Sequence, residues 1–217
     1  VVKTGYVREK IPLTPEEYVH LCEVLEEREE WQKLAYIVFT YSTGCRRAES
    51  RQLLKEVIDY EPKEKEITIV DEDGKEVKTT SKYYFTHTIR CKGASVVGKP
   101  RKLKFSEDAM HWLKKWIEER GDDDCPYMFV VKLKDGTTRQ VGEGIFNDWG
   151  TNCFSKIVGR RFHPHLLRES RATNLVVYEH KSAEVAQKLL GHNDVSTTNN
   201  HYIIRNDESD ESDEAFA

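Results

Sequence analysis

Residues 83–90 read Tyr83-Tyr84-Phe85-Thr86-His87-Thr88-Ile89-Arg90, a run of aromatic and β-branched residues in a chain that otherwise patterns as helix. Working outward, Glu66-Ile67-Thr68-Ile69-Val70 precedes it across a turn at Asp73-Gly74, and Arg101-Lys102-Leu103-Lys104-Phe105 follows. Val57 to Phe105 therefore reads as a small antiparallel sheet. Before it, Leu13-Thr14-Pro15-Glu16-Glu17 starts a helix, with Thr14 as N-cap, Pro15 in the first turn and Glu17 closing a capping box. A second helix runs from Trp31 to Tyr41 and ends near Ser42-Thr43-Gly44, and a third begins after Cys45-Arg46. Beyond the sheet, helical periodicity returns at Ser106 to Glu119, Glu143 to Val158, His165 to Glu179, Ser182 to Leu190 and Ser196 to Arg205, with a turn at Lys134-Asp135-Gly136-Thr137. Helices, a small sheet and helices again, without repeats, give an α+β, mainly helical fold.

The chain has 217 residues, of which 38% are hydrophobic and 33% charged. That balance suits one globular domain, and no apolar run approaches the roughly 20 residues of a membrane span. Val1 to Lys10 lacks a signal-peptide pattern, so a cytoplasmic protein is expected. Residues 1–12 read as a linker or arm, 13–205 as the domain and 206–217 as an acidic tail, with the chain expected to be a fragment of something longer. The five cysteines are scattered and never spaced as CxxC, which points to reduced, mostly buried thiols. Cys45 lies beside arginines that could activate it, against the plainer reading of a buried thiol.

The net charge of −4 looks wrong for a nucleic-acid partner until its location is seen. Asp207 to Glu214 holds six carboxylates, which leaves the rest of the chain near +2. A polyanion would need a local basic surface.

Three clusters carry possible chemistry. In Thr43-Gly44-Cys45-Arg46-Arg47-Ala48-Glu49, a glycine ends one helix and Arg46 opens the next, near backbone N–H groups that favour an anion. Alone, Arg46 would read as a surface ion-pair residue. In His163-Pro164-His165-Leu166-Leu167-Arg168, His165 and Arg168 are three apart on one helical face, a pairing suited to a phosphate that gains charge during transfer. His163 and His165 could instead pair on a metal, but HxH without a third ligand is a weak signal. The third cluster is Leu189-Leu190-Gly191-His192, with Tyr202 ten residues later. Alone, Tyr202 would read as a core residue.

Together, TGCRRAE, HPHLLRESRAT, LLGH and Tyr202, in that order, resemble the catalytic domain of the tyrosine recombinases, the integrases of phages and conjugative transposons. The resemblance extends from Leu13 to Arg205. It implies Arg46 and Arg168 as the catalytic arginines, Glu49 as the supporting acid, His165 and His192 as the site histidines and Tyr202 as the nucleophile. The family also uses a lysine in a β-hairpin. Lys92 fits because it ends a strand at a turn, and Lys99 is its rival. Two departures stand out: Glu169 follows Arg168 where many relatives carry histidine, and the His192 to Tyr202 interval is one residue longer than in many relatives.

What the resemblance implies is strand cleavage by Tyr202 through a 3′-phosphotyrosyl link, with no cofactor, neither metal nor ATP. The implied partner is a double-stranded DNA recombination site, held by a homo-tetramer on two duplexes with accessory bending or directionality factors. Arg90, Lys99, Arg101, Lys102, Lys104, Arg160 and Arg161 are the candidate backbone contacts. The alternatives are a noncatalytic DNA-binding module on the same scaffold and a type IB topoisomerase-like relaxing enzyme.

Overall fold

The computed structural model describes residues 11–70, 74–93, 98–179 and 181–191. Helix α1, Pro15–Glu27, starts as its sequence dictates: Thr14 Oγ1 accepts from Glu17 N at 3.1 Å, and Glu17 Oε2 accepts from Thr14 N at 3.0 Å. Helix α2, Trp31–Thr43, is the centre of the molecule, with every residue from Leu34 to Thr40 buried. It packs on α1, on α4 (Glu107–Arg120), on α7 (Pro164–Val177) and on strand β3 (Lys99–Ser106). A helix apolar on all sides needs such complete cover, and each large side chain so buried contributes about 1.5–3 kcal/mol. Tyr36 anchors the aromatic cluster, stacking on Phe146 at 4.2 Å between ring centroids and meeting Phe129 edge-on at 5.7 Å. Among the buried polar groups of α2, Thr40 Oγ1 lies 3.1 Å from Ser50 Oγ and Thr43 Oγ1 donates to Phe39 O at 2.9 Å.

The three-stranded sheet has the order β1–β2–β3, antiparallel throughout, with β1 at Lys63–Val70 and β2 at Glu76–Cys91. The sheet arrives where the sequence places it, but β2 begins seven residues before Tyr83. That first half, from Glu76 to Lys82, is polar apart from the exposed Val77 and has no alternating signal. It pairs with β1 as a solvent-exposed ribbon carrying the cross-strand ion pairs Lys78–Glu66 and Lys82–Glu64. The second half packs Tyr84, Thr86, Ile89 and Cys91 inward.

Two further strands, β4 (Val130–Lys132) and β5 (Thr138–Gln140), form a hairpin around the expected turn, where the Asp135 carboxylate accepts from Thr137 N at 2.9 Å and from its Oγ1 at 2.7 Å. At three residues each they are too short to show a period. The helix expected at Glu143 to Val158 is α5 (Ile145–Trp149) and α6 (Ser155–Val158) joined through one π turn, Gly150–Phe154. Helix α3 is Arg47–Ser50 and α8 is Ala183–Leu190. The expected helix Ser196 to Arg205, the tail, residues 1–10 and Asp73 lie outside the described residues, as do His192 and Tyr202. All five cysteines are free, and burial pushes the Cys45 thiol up to about 12, so proximity to arginine does not activate it.

Candidate active site

Helix α2 ends at Gly44, whose φ of 60° is left-handed, and the chain turns at once into α3 with Arg46 as its N-cap residue. Glu49 returns to close this turn. Its Oε2 accepts from Arg46 N at 2.8 Å and its Oε1 accepts from Arg46 Nη1 at 3.2 Å. With Glu49 2% exposed and the Arg46 side chain 28% exposed, the carboxylate is a buried strut holding a guanidinium at the surface.

Arg168 on α7 reaches the same turn from below. Its Nη1 donates to Gly44 O, and its Nη2 donates to Leu190 O, the last residue of α8, at 2.8 Å. The planar fork of the guanidinium thus joins the C-termini of α2 and α8, where the helix dipole favours a cation. Neither glycine flanking this junction tolerates a side chain. A Cβ at Gly44 would run into Leu190 Cδ2, and one at Gly191, whose φ is 69°, into the Arg101 guanidinium.

His165, in the first turn of α7, is half-exposed above Arg168. The acid at position 169 approaches it rather than solvent: Glu169 Oε1 is 4.0 Å from His165 Nε2, with the two side chains 3% and 42% exposed respectively. The substitution of an acid for the histidine common in relatives therefore places a buried carboxylate under the His165 ring.

The end of β2 completes the near side. Lys92 is exposed and directly follows Cys91, which pairs in register with Lys99. Burial pushes the Cys91 thiol up to about 11, with the Glu49 carboxylate raising it further and Arg101 and Arg46 opposing. Those neighbours place the root of the Lys92 turn beside Arg46 and Glu49. Gln52, just past α3, fastens it there: Oε1 accepts from Arg90 N at 3.0 Å, and Nε2 donates to Arg90 O and to Ala48 O, each at 2.9 Å. The structure thus brings Arg46, Glu49, His165, Arg168 and the Lys92 turn to one place.

Two expected DNA contacts have other partners. Arg101 shares its strand parity with buried Leu103 and Phe105, so it points inward, and its Nη atoms donate to the carbonyls of Lys188, Leu189 and Leu190 at 3.1–3.5 Å. Arg160 is committed to the N-terminal segment. It donates to Glu17 through Nε at 3.0 Å and Nη2 at 2.7 Å, and to the carbonyls of Ile11 and Pro12 at 2.8 Å. Both therefore serve the fold. The opposite parity of β3 puts Lys102 and Lys104 outward, Lys104 over the Tyr83 ring at 3.7 Å. These two line a groove of about 520 Å³ between the sheet and α7–α8, together with Arg101 and with Arg171 and Lys188, the last two being cations the sequence reading passed over. Arg90, Lys99 and Arg161 are exposed. Among the described residues, no group of three histidine, cysteine or acidic side chains is arranged to hold a metal ion, and no helix is long and apolar enough to cross a membrane.

The fold is similar to that of a crystal structure of XerA recombinase, with a TM-score of 0.62 at 20% identity over 90% of this chain and 61% of that one. It is also similar to the Tn1549 transposon integrase in complex with circular intermediate DNA, with a TM-score of 0.60 at 18% identity over 98% of this chain and 69% of that one. In sequence, the chain is 30% identical over 203 residues to the SPbeta prophage-derived recombinase-like protein YomM of Bacillus subtilis, spanning 93% of this chain and 56% of YomM. Over 103 residues it is 35% identical to tyrosine recombinase XerC of Vibrio parahaemolyticus, spanning 46% of this chain and 32% of XerC. The chain thus spans only about half the length of YomM and about a third of XerC. Residues 12–209 match the phage integrase family throughout, and the chain belongs to that family.

Proposed function

We propose that this chain is the strand-cleaving portion of a tyrosine-type site-specific DNA recombinase, acting in integration or excision of a mobile element. The observation that carries this reading is the Arg168 guanidinium, which joins turns from residues 44 and 190 under the part-exposed Arg46. Such a preorganised set of donors is what a phosphodiester gaining charge in transfer requires.

Tyr202 Oη attacks the scissile phosphorus, the P–O5′ bond breaks, and the DNA 3′ end remains as a phosphotyrosyl ester. Arg46 and Arg168 hold the nonbridging oxygens, and His192 donates a hydrogen bond to one of them. His165 assists loss of the tyrosine proton, a task the Glu169 carboxylate favours by stabilising an imidazolium. Lys92 protonates the leaving O5′, and attack by a 5′-hydroxyl reverses the sequence. Bond energy is retained in the ester, so the cycle consumes no nucleotide. Lys102 and Lys104, with Arg90, Lys99 and Arg161, meet flanking phosphates, and four protomers hold two duplexes, with accessory bending or directionality factors as further partners.

A nicked suicide duplex, selected from a randomised library by covalent capture on this chain, tests the reading. The expected result is an adduct resistant to denaturant that disappears in Tyr202→Phe. DNA binding without an adduct in either protein would establish a noncatalytic module instead. Exchange between two duplexes, as opposed to relaxation of supercoils alone, distinguishes a recombinase from a relaxing enzyme.

A further inference from the structure

We propose that Gln52 is a positioning residue for leaving-group protonation, holding the Lys92 turn in register with Arg46. This rests on the strand-cleavage reading above and adds to it a residue outside its motifs.

Backbone N–H and C=O groups on a strand alternate between its two edges. At Arg90 they point away from β3, where the residue opposite is Pro100, which has no N–H to offer. Strand β1 pairs with β2 only up to Tyr83, so among the described residues it is a side chain, not a strand, that meets the outer edge of β2 at Arg90. The Gln52 carboxamide fills that place, exchanging both hydrogen bonds with Arg90 as a facing strand residue would. Its third bond, to Ala48 O, fixes the amide on the turn that follows Arg46. Only Cys91 separates Arg90 from Lys92, and the Gln52 amide is therefore a short rigid link between the guanidinium that grips the phosphate and the ammonium that protonates O5′. His87 Nε2, 3.2 Å from Leu54 N, ties the two segments farther back and leaves the tip of β2 to Gln52.

Loss of the amide should let the Lys92 turn drift while Arg46, held by Glu49, stays in place. The distinguishing readout is the leaving group. A 5′-bridging sulfur departs as a thiolate and needs no proton, so a defect in protonation vanishes on the sulfur duplex, whereas a defect in phosphate binding or folding persists. The test uses the full chain and the captured suicide duplex, made with oxygen or sulfur at the bridging position. Gln52→Ala is expected to slow adduct formation by about 30-fold with oxygen and by less than about threefold with sulfur, the pattern also expected, more strongly, for Lys92→Ala. Duplex affinity measured in a Tyr202→Phe background should not change. Gln52→Glu preserves size and the bond from Arg90 N but cannot donate to Arg90 O, so it should fall between, and it serves if the alanine variant folds poorly. Equal slowing on both duplexes would overturn the proposal, as would sulfur rescue of Lys99→Ala in place of Lys92→Ala. Absence of any adduct with the unaltered chain would overturn the cleavage reading itself.

Discussion

Arg46 and Arg168 are equivalent in the motif pattern, yet they occupy opposite environments. Arg46 stands at the surface with its side chain 28% exposed and Glu49 as its partner, while Arg168 is 1% exposed under the C-termini of α2 and α8. The difference separates two tasks within one site. Arg46 is displayed for a ligand, and Arg168 also holds together the turns on which the ligand-facing groups sit.

Removing each guanidinium is the strongest way to break that comparison. Arg168→Ala leaves the buried Gly44 carbonyl without its side-chain donor, removes one of the two donors to Leu190 O and opens a void beside Leu190, and should cost about 3 kcal/mol of stability as well as cleavage. Arg46→Ala keeps its backbone bond to Glu49, so stability should fall by about 1 kcal/mol or less while adduct formation slows by about 10²- to 10³-fold. Urea midpoints and single-turnover adduct rates on the two variants check this. Equal loss of stability in both would erase the distinction.

The sequence shows this division only in part. The capping box at Thr14, the end of α2 at Gly44 and the β-rich middle are local patterns, and each appears in the structure because tertiary packing reinforces it. The same holds for α7 and α8, whose starts are set by Pro164 and Ser182. What escapes is anything decided by a distant partner. The first half of β2 is polar apart from Val77 and is a strand only because β1 lies beside it. Gln52 carries no motif, and its importance comes from the backbone of a strand edge 38 positions away. Arg101 was readable in principle, since its parity matches that of Leu103 and Phe105, but counting cations along β3 hides that alternation.

Parity gives the next test. Arg101→Ala should lower stability by about 1–2 kcal/mol, because the carbonyls of Lys188 and Leu189 lose a side-chain donor and that of Leu190 keeps only Arg168, and leave the salt dependence of DNA binding unchanged. Lys102→Ala, one position along the same strand, should do the reverse: stability within about 0.5 kcal/mol of the unaltered chain, and a log–log salt slope smaller by about 1. A reduced slope for Arg101→Ala would return that residue to the DNA surface.

The pH-dependent part of Arg160's contribution is the smallest effect, since this cation, unlike the sheet lysines, is committed to Glu17 and the N-terminal segment. Its guanidinium beside Glu17 holds that carboxyl below its ordinary range, with burial opposing and the bond from Thr14 N assisting. A depressed folded-state pKa contributes stability that is present above the ordinary value of about 4.5 and lost as pH falls through the folded-state value. The bonds from Arg160 to the carbonyls of Ile11 and Pro12 do not titrate, so only part of the arginine's contribution depends on pH. Comparing the chain with Arg160→Ala by urea unfolding should therefore give a difference of about 1–2 kcal/mol at pH 7 that narrows below pH 4.5 without vanishing. A difference constant with pH would assign the whole effect to the two carbonyls, and a difference that disappears would assign it to Glu17.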